Sequence, residues 1–294
     1  MVPPRSLTRA ASVALILGLV HQKRVLADVL SWAQSEPNVR VVVLDGSLAR
    51  DDGSTDEWSD LDLQLYVTDP APLLEQRSWY GQFGEVLVVE ALENRGWFPT
   101  RLVYYVDGKI DFMIAPVAVL RDAQEYDRPM RVLIDKDGVS ASIAGGPRTR
   151  VELPDADEYH VCVNDFYAAA LMEAKMLVRD EPIKAKVRDF DLKARLFEMI
   201  VWDHAARYGE ERDVRPRGAE FRRWVDGDTE ARLRGCWSDT STHAAATALG
   251  ASIDLFDTSS TRLAHALGFE PFANDAVLRE IGRILNARMD DPDS

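Results

Sequence analysis

The spacing of apolar residues changes character about halfway along the chain, beyond Gly145-Gly146-Pro147. Before that point the apolar positions form short blocks or alternate with polar ones. Val25, Leu26, Val29, Leu30 and Ala33 fall on one helical face, which predicts a helix over residues 23–34 that breaks at Ser35-Glu36-Pro37-Asn38. Val39–Leu44 is a short β-branched run of the kind buried strands use. Leu61–Val67 alternates, with Leu61, Leu63 and Leu65 on one face and Asp60, Asp62 and Gln64 on the other. A helix is expected near residues 71–80, and strands at 85–90, 101–106, 109–114 and 131–135. The pair Asp107-Gly108 between two of these strands is a hairpin signal, because both residue types tolerate positive φ.

From Asp155 onward the period is helical, and Asp155-x-x-Glu158 has the form of a capping box. Helices are expected over about 157–180, 184–208, 217–237, 241–267 and 274–289, with breaks at Pro182, Gly209, Pro216, Gly250 and Pro271. The chain therefore reads as an α+β half with a mixed sheet followed by an all-α half. The expected divisions are residues 1–21 as an N-terminal extension or helix, 22–150, and 151–294.

Charge narrows the range of partners. The sequence holds 49 acidic and 35 basic residues, a net charge of −14, which repels polyanions and favours cations. With no basic stripe interleaved with aromatics, polynucleotide binding is not expected. The cysteines, Cys162 and Cys236, lie far apart without metal-ligand spacing, so a disulfide framework and a zinc site are not expected. The apolar run Ala14–Val20 follows Arg5 and Arg9 but ends in His21-Gln22-Lys23-Arg24 without a cleavage site, and it falls short of the roughly 20 residues a membrane span needs. A cytoplasmic, membrane-free protein, monomeric or dimeric, is the expectation.

The chemistry concentrates in Leu44-Asp45-Gly46-Ser47 and Asp60-Leu61-Asp62-Leu63. Period-two geometry puts Asp60 and Asp62 on one face, where two like charges repel and unpaired burial is costly. A divalent cation removes that conflict, and carboxylates with substrate phosphates are the usual surroundings of Mg²⁺. Gly46 lets backbone approach a phosphate, and Ser47 can donate a hydroxyl hydrogen bond. Asp111 lies on the strand after the hairpin, opposite in facing to Ile110, Phe112 and Ile114. If that strand neighbours Leu61–Val67, Asp111 joins Asp60 and Asp62. Three converging acids around Mg²⁺ are equipment for in-line phosphoryl-type transfer.

This order of parts resembles the polymerase-β-like nucleotidyltransferases and, more narrowly, the aminoglycoside 6-adenylyltransferases (streptomycin adenylyltransferases). The resemblance runs through residues 39–65, Trp97-Phe98-Pro99, Gly108-Lys109-Ile110-Asp111, residues 132–137 and Asn164-Asp165-Phe166-Tyr167 with Lys175 and Arg179, covering roughly 22 to 270. It implies a nucleotidyltransferase domain followed by a helical-bundle substrate domain, with ATP as co-substrate and two Mg²⁺ ions. By position it implies Asp60, Asp62 and Asp111 as metal ligands and catalytic acids, Gly46 and Ser47 at the triphosphate, and Lys175 as a further phosphate contact. Family members commonly carry Arg after the Gly-Ser pair, where this chain has Leu48, and Arg50 is the candidate replacement. The acceptor implied is cationic, and streptomycin, with its guanidinium groups, suits an acidic site. Asp165 and Tyr167 are the candidate acceptor contacts. Fold and acids leave the acceptor open, so another small molecule, a protein side chain, or a non-catalytic nucleotide-binding regulator stay as alternatives.

Overall fold

The computed structural model describes residues 9–49, 55–56, 58–93, 98–121, 124–126, 130–145, 151–209 and 221–287, with side chains undescribed at 9–21, 121, 124–126, 142 and 144–145. Arg50 and Trp97 lie outside the described residues. The chain divides into two units, Met1–Thr149 and Arg150–Ser294.

The first unit opens with α1 (Arg9–Ser35) and β1 (Val39–Asp45), then a 3₁₀ turn over Ser47–Ala49 and β2 (Leu61–Val67). Next come α2 (Ala71–Glu75), a 3₁₀ turn at Trp79–Phe83, β3 (Val86–Leu92), β4 (Thr100–Tyr105) and β5 (Gly108–Pro116). After a 3₁₀ turn at Val117–Arg121 follow β6 (Gln124–Tyr126), β7 (Arg131–Asp135) and β8 (Ile143–Gly145). Six strands form one sheet in the order β3-β4-β5-β2-β1-β7. Only β2 and β5 pair in parallel, while the other neighbours are antiparallel, so the sheet is mixed.

Alternation decides which face each side chain serves. Leu61, Leu63 and Leu65 of β2 and Ile110, Phe112 and Ile114 of β5 join Val25, Val29 and Ala33 of α1 in one apolar core. Aromatic packing closes that core: Trp32 stacks on Trp79 at 5.1 Å between ring centres, and Trp79 meets Phe112 edge-on at 4.8 Å. Val41, Val43 and Tyr66 point the other way, into a smaller cluster.

Trp79 also explains a departure from the helix expected near 71–80. That helix stops at Glu75, Gln76 is extended, and Trp79–Phe83 forms a separate 3₁₀ turn. The Trp79 indole N–H donates to the Leu73 carbonyl at 2.9 Å, so burying the ring outweighs continuing the helix. The strands β6 and β8 pair in parallel, and at three residues each they are too short to show a period.

The second unit contains α3 (Ala156–Val178), α4 (Pro182–Tyr208), α5 (Phe221–Trp224), α6 (Gly227–Arg234), α7 (Thr242–Leu267) and α8 (Asp275–Asn286). The Asp155–Glu158 capping box forms in both directions at the head of α3. Pro182 occupies the first turn of α4, where its missing N–H costs nothing. No break occurs at Gly250, which lies inside α7, because packing of flanking Leu249 and Ile253 outweighs a weak local preference. Within the expected helix 217–237, Asp226 accepts from the Thr229 N–H and starts a new helix, separating α5 from α6. The core joins α3 to α7 through Phe166 stacked on Phe256 at 3.7 Å.

Candidate active site

Register gathers the acids. Asp45 at the end of β1 pairs with Asp62 on β2, and Asp62 pairs with Asp111 on β5. Directly paired residues on neighbouring strands point the same way, so these three acids form one row across the sheet. Asp60, immediately before β2, adds a fourth carboxylate on the same side. Gln22 of α1 steadies the approach to Asp60 by donating to the carbonyls of Ser59 and Asp56.

The turn after β1 is built around Gly46. Its φ of +71° lies in the left-handed region, and a Cβ there would come within 1.8 Å of Asp62 Oδ2. The Asp62 carboxylate thus occupies the space a side chain would need. Asp45 accepts from the Gly46 N–H and, at 3.0 Å, from Gln64 Nε2, and Gln64 in turn accepts from the Tyr66 hydroxyl at 2.8 Å. Ser47 begins the 3₁₀ turn beside this acid row. Arg131 on β7 donates to the Leu48 carbonyl, bringing a guanidinium to the same turn.

The ammonium of Lys109 answers two of these acids directly. Lys109 Nζ lies 3.0 Å from Asp60 Oδ2 and 3.0 Å from Asp111 Oδ2. Asp111 Oδ1 is 2.9 Å from the same nitrogen but out of line, and among the described residues this buried oxygen has no hydrogen-bond partner. Burial, then the charges of Asp111, Asp45 and Asp60, push the Asp62 carboxyl up to about 7, against which Lys109 pulls only weakly. Burial also raises Asp111, offset in part by its bond to Lys109. For Lys109 burial opposes the charge, yet the bonds to Asp111 and Asp60 together hold the ammonium above its ordinary range. A depression of about 1050 Å³ opens beside Asp60 and Lys109, with Trp58, Tyr104, Tyr105 and Phe83 in its walls.

The donor set is all oxygen, the chemistry that suits Mg²⁺ rather than zinc. Among the described residues no three His, Cys, Asp or Glu side chains are already drawn into a metal cage. The gathered carboxylates, where burial and mutual repulsion together raise Asp62, nevertheless match what a divalent cation would satisfy.

The structure thus brings Gly46, Ser47, Asp60, Asp62 and Asp111 together in the first unit. Asp165, Tyr167 and Lys175 all lie on α3 of the second unit. Asp165 is half-exposed and pairs with Arg195 at 3.2 Å. Tyr167 is buried against Phe256 and Phe272, its hydroxyl donating to Asp257, so the two residues serve different sides of α3. Lys175 is exposed. Sequence reasoning missed Asp45, Lys109 and Arg131 as members of the site. Asp45 follows an apolar run directly, and the only available signal was its place next to Gly46-Ser47.

A mixed sheet with a Gly-Ser turn after one strand and a carboxylate row across its neighbours is the layout of a nucleotidyltransferase domain. The family model described as streptomycin adenylyltransferase matches residues 20–279, and the chain belongs to that family of nucleotidyltransferases. The aminoglycoside 6-adenylyltransferase of Campylobacter jejuni is 26% identical over 62% of this chain and 66% of its own length. Those of Staphylococcus aureus and Bacillus subtilis are each 27% identical, over 62% and 61% of this chain and 68% of their own length. The matches span about two thirds of these relatives. A crystal structure of an aminoglycoside 6-adenyltransferase from Bacillus subtilis aligns over 90% of this chain and 97% of that one, with 18% identity and a TM-score of 0.44. That likeness is loose, and the fold assignment rests on the sheet topology itself.

Among the described residues no helix is long and apolar enough to cross a membrane.

Proposed function

We propose that the protein transfers AMP from Mg-ATP to a hydroxyl of an aminoglycoside, releasing pyrophosphate and inactivating the drug. Streptomycin, at its 6-position, is the proposed acceptor. The observation that carries the reading is the in-register row Asp45, Asp62 and Asp111, with Asp60 beside it and the Gly46-Ser47 turn packed against Asp62. The family and its 6-adenylyltransferase relatives support the acceptor class.

In this reading Asp60, Asp62 and Asp111 hold Mg²⁺, which when bound supplies positive charge to the phosphate oxygens. Gly46 allows the triphosphate to approach the backbone, Ser47 donates to it, and Arg131 beside the turn offers charge where Leu48 cannot. Arg50 and, from α3, Lys175 are proposed as further phosphate contacts. The acceptor oxygen attacks the α-phosphorus as the bond to pyrophosphate breaks, and its proton passes to Asp111 or to a water held there. Asp165 is proposed to meet a cationic group of the acceptor. Tyr167, its hydroxyl already engaged by Asp257, acts through packing.

The test is pyrophosphate release from Mg-ATP with a panel of aminoglycosides, comparing wild type with Asp60→Ala. Streptomycin-dependent release that disappears in the variant is expected. Silence with every drug, despite metal-dependent ATP binding, would overturn the aminoglycoside assignment and direct attention to metabolite or protein acceptors.

A further inference from the structure

The ammonium of Lys109 holds a position that the proposed function reserves for something else. Lys109 lies two residues before Asp111 on β5, so its side chain leaves the sheet on the same face. Its cross-strand partner is Tyr104, over whose ring the ammonium sits at 5.5 Å. The side chain is 17% exposed, its stem covered and its head directed at Asp60 and Asp111. Bonds at 3.0 Å to an oxygen of each acid tie the residue preceding β2 to the neighbouring strand β5.

A Mg²⁺ ion ligated by Asp60 and Asp111 would lie about 2.0–2.1 Å from the oxygens it used. An ammonium 3.0 Å from an oxygen on each of those acids fills much of the same space. Two positive centres there would also repel, so the acids cannot serve both in this geometry. We infer that Lys109 is a resident counter-cation, a positioning residue that holds Asp60 and Asp111 together in the metal-free protein and is displaced from them when a divalent cation enters. Metal binding at this site is therefore an exchange of one cation for another. The inference rests on the assignment of Asp60, Asp62 and Asp111 as metal ligands.

The exchange gives Lys109 an effect opposite in sign to that of a purely structural residue. Removing a structural tie would loosen the site and weaken metal binding, whereas removing a competitor strengthens it. The experiment measures Mn²⁺ binding without nucleotide, from the signal of free Mn²⁺ in electron paramagnetic resonance, alongside thermal unfolding in EDTA. Wild type, Lys109→Met, Lys109→Arg and Asp62→Asn are compared. Lys109→Met is expected to bind Mn²⁺ roughly tenfold tighter, the equivalent of about one pKa unit of charge interaction. In EDTA it is expected to melt below wild type, and saturating Mn²⁺ should restore most of the difference. Lys109→Arg, which keeps the cation, should stay near wild type. If Lys109→Met does not fold, Lys109→Gln keeps a hydrogen-bonding head without charge and carries the same expectation.

Equal or weaker Mn²⁺ binding by the uncharged variants, with wild type binding and Asp62→Asn not, would overturn the exchange while leaving the metal site in place. Absence of Mn²⁺ binding from all four proteins would overturn the metal site and the exchange together.

Discussion

Each unit buries aspartates, and the two treat them in opposite ways. In the helical unit Asp203 is fully buried, yet Arg262 donates to it at 2.7 and 3.2 Å and Arg207 at 2.9 Å. Arg207 also reaches Asp226 at 2.7 Å. Burial opposes the Asp226 charge, but the Thr229 N–H and Arg207 outweigh it and hold the carboxyl well below its usual range. Burial lowers the proton affinity of neighbouring His204, which has one ring nitrogen on the Ile200 carbonyl at 2.8 Å. Two acids and two guanidiniums balance. In the sheet unit Asp45, Asp60, Asp62 and Asp111 crowd together, Lys109 pairs with Asp60 and Asp111, and Asp62 is pushed up to about 7. A balanced network holds a fold together, while an unbalanced one stores electrostatic energy that a ligand can release.

Glu173 shows a third treatment. It is buried on α3 with one oxygen lacking a partner among the described residues, and burial followed by the charge of Asp189 raises it to about 8, despite Lys193 and Lys186. Its environment favours a proton on this acid rather than a bound cation.

The comparison is broken most decisively at Asp62. Asp62→Asn should lower kcat/KM for adenylylation on the order of 10³-fold, the scale seen when a preorganised electrostatic group is lost, while the melting temperature of the metal-free protein holds or rises. A parallel loss of stability would mean that the acid row is structural after all. Asp203→Ala should do the reverse, costing about 3–5 kcal/mol in urea unfolding because two guanidiniums lose their buried partner, with activity per folded molecule retained.

Gly46→Ala sharpens the boundary between site and scaffold. The positive φ costs about 1–3 kcal/mol, and displacement of Asp62 by the new Cβ should depress activity further than the stability loss explains. A separate prediction is a pH slope in stability at Glu173. Its pKa in the folded protein, about 8, lies above the ordinary 4.5, so the folded state binds the extra proton. Stability should therefore fall as pH rises from 4.5 towards about 8 and level off beyond it. Glu173→Gln, which cannot ionise, should lack this component when unfolding is followed across that range. An unchanged slope would show that Glu173 does not titrate there.

Much of this contrast is legible in the chain itself. The alternation in residues 60–67 and the hairpin at Asp107-Gly108 put Asp60, Asp62 and Asp111 on matching faces, because side-chain direction in a strand follows period two. The capping box at Asp155 is equally legible, since both partners lie within one turn. The division of residues 71–83 is not, because the Trp79 bond to Leu73 is a packing decision. Nor is the engagement of Tyr167, whose partner Asp257 is 90 residues away.

The sequence by itself determined the longer periodic elements, the faces of their side chains and the acidic character of the site, since local periodicity and residue chemistry suffice for these. Only the tertiary structure decided that Asp45 is in register with Asp62, that Gly46 must yield its space to a carboxylate, and that Lys109 bridges Asp60 and Asp111. Those outcomes depend on which strands become neighbours and in what register, which is set by the folding of the whole sheet.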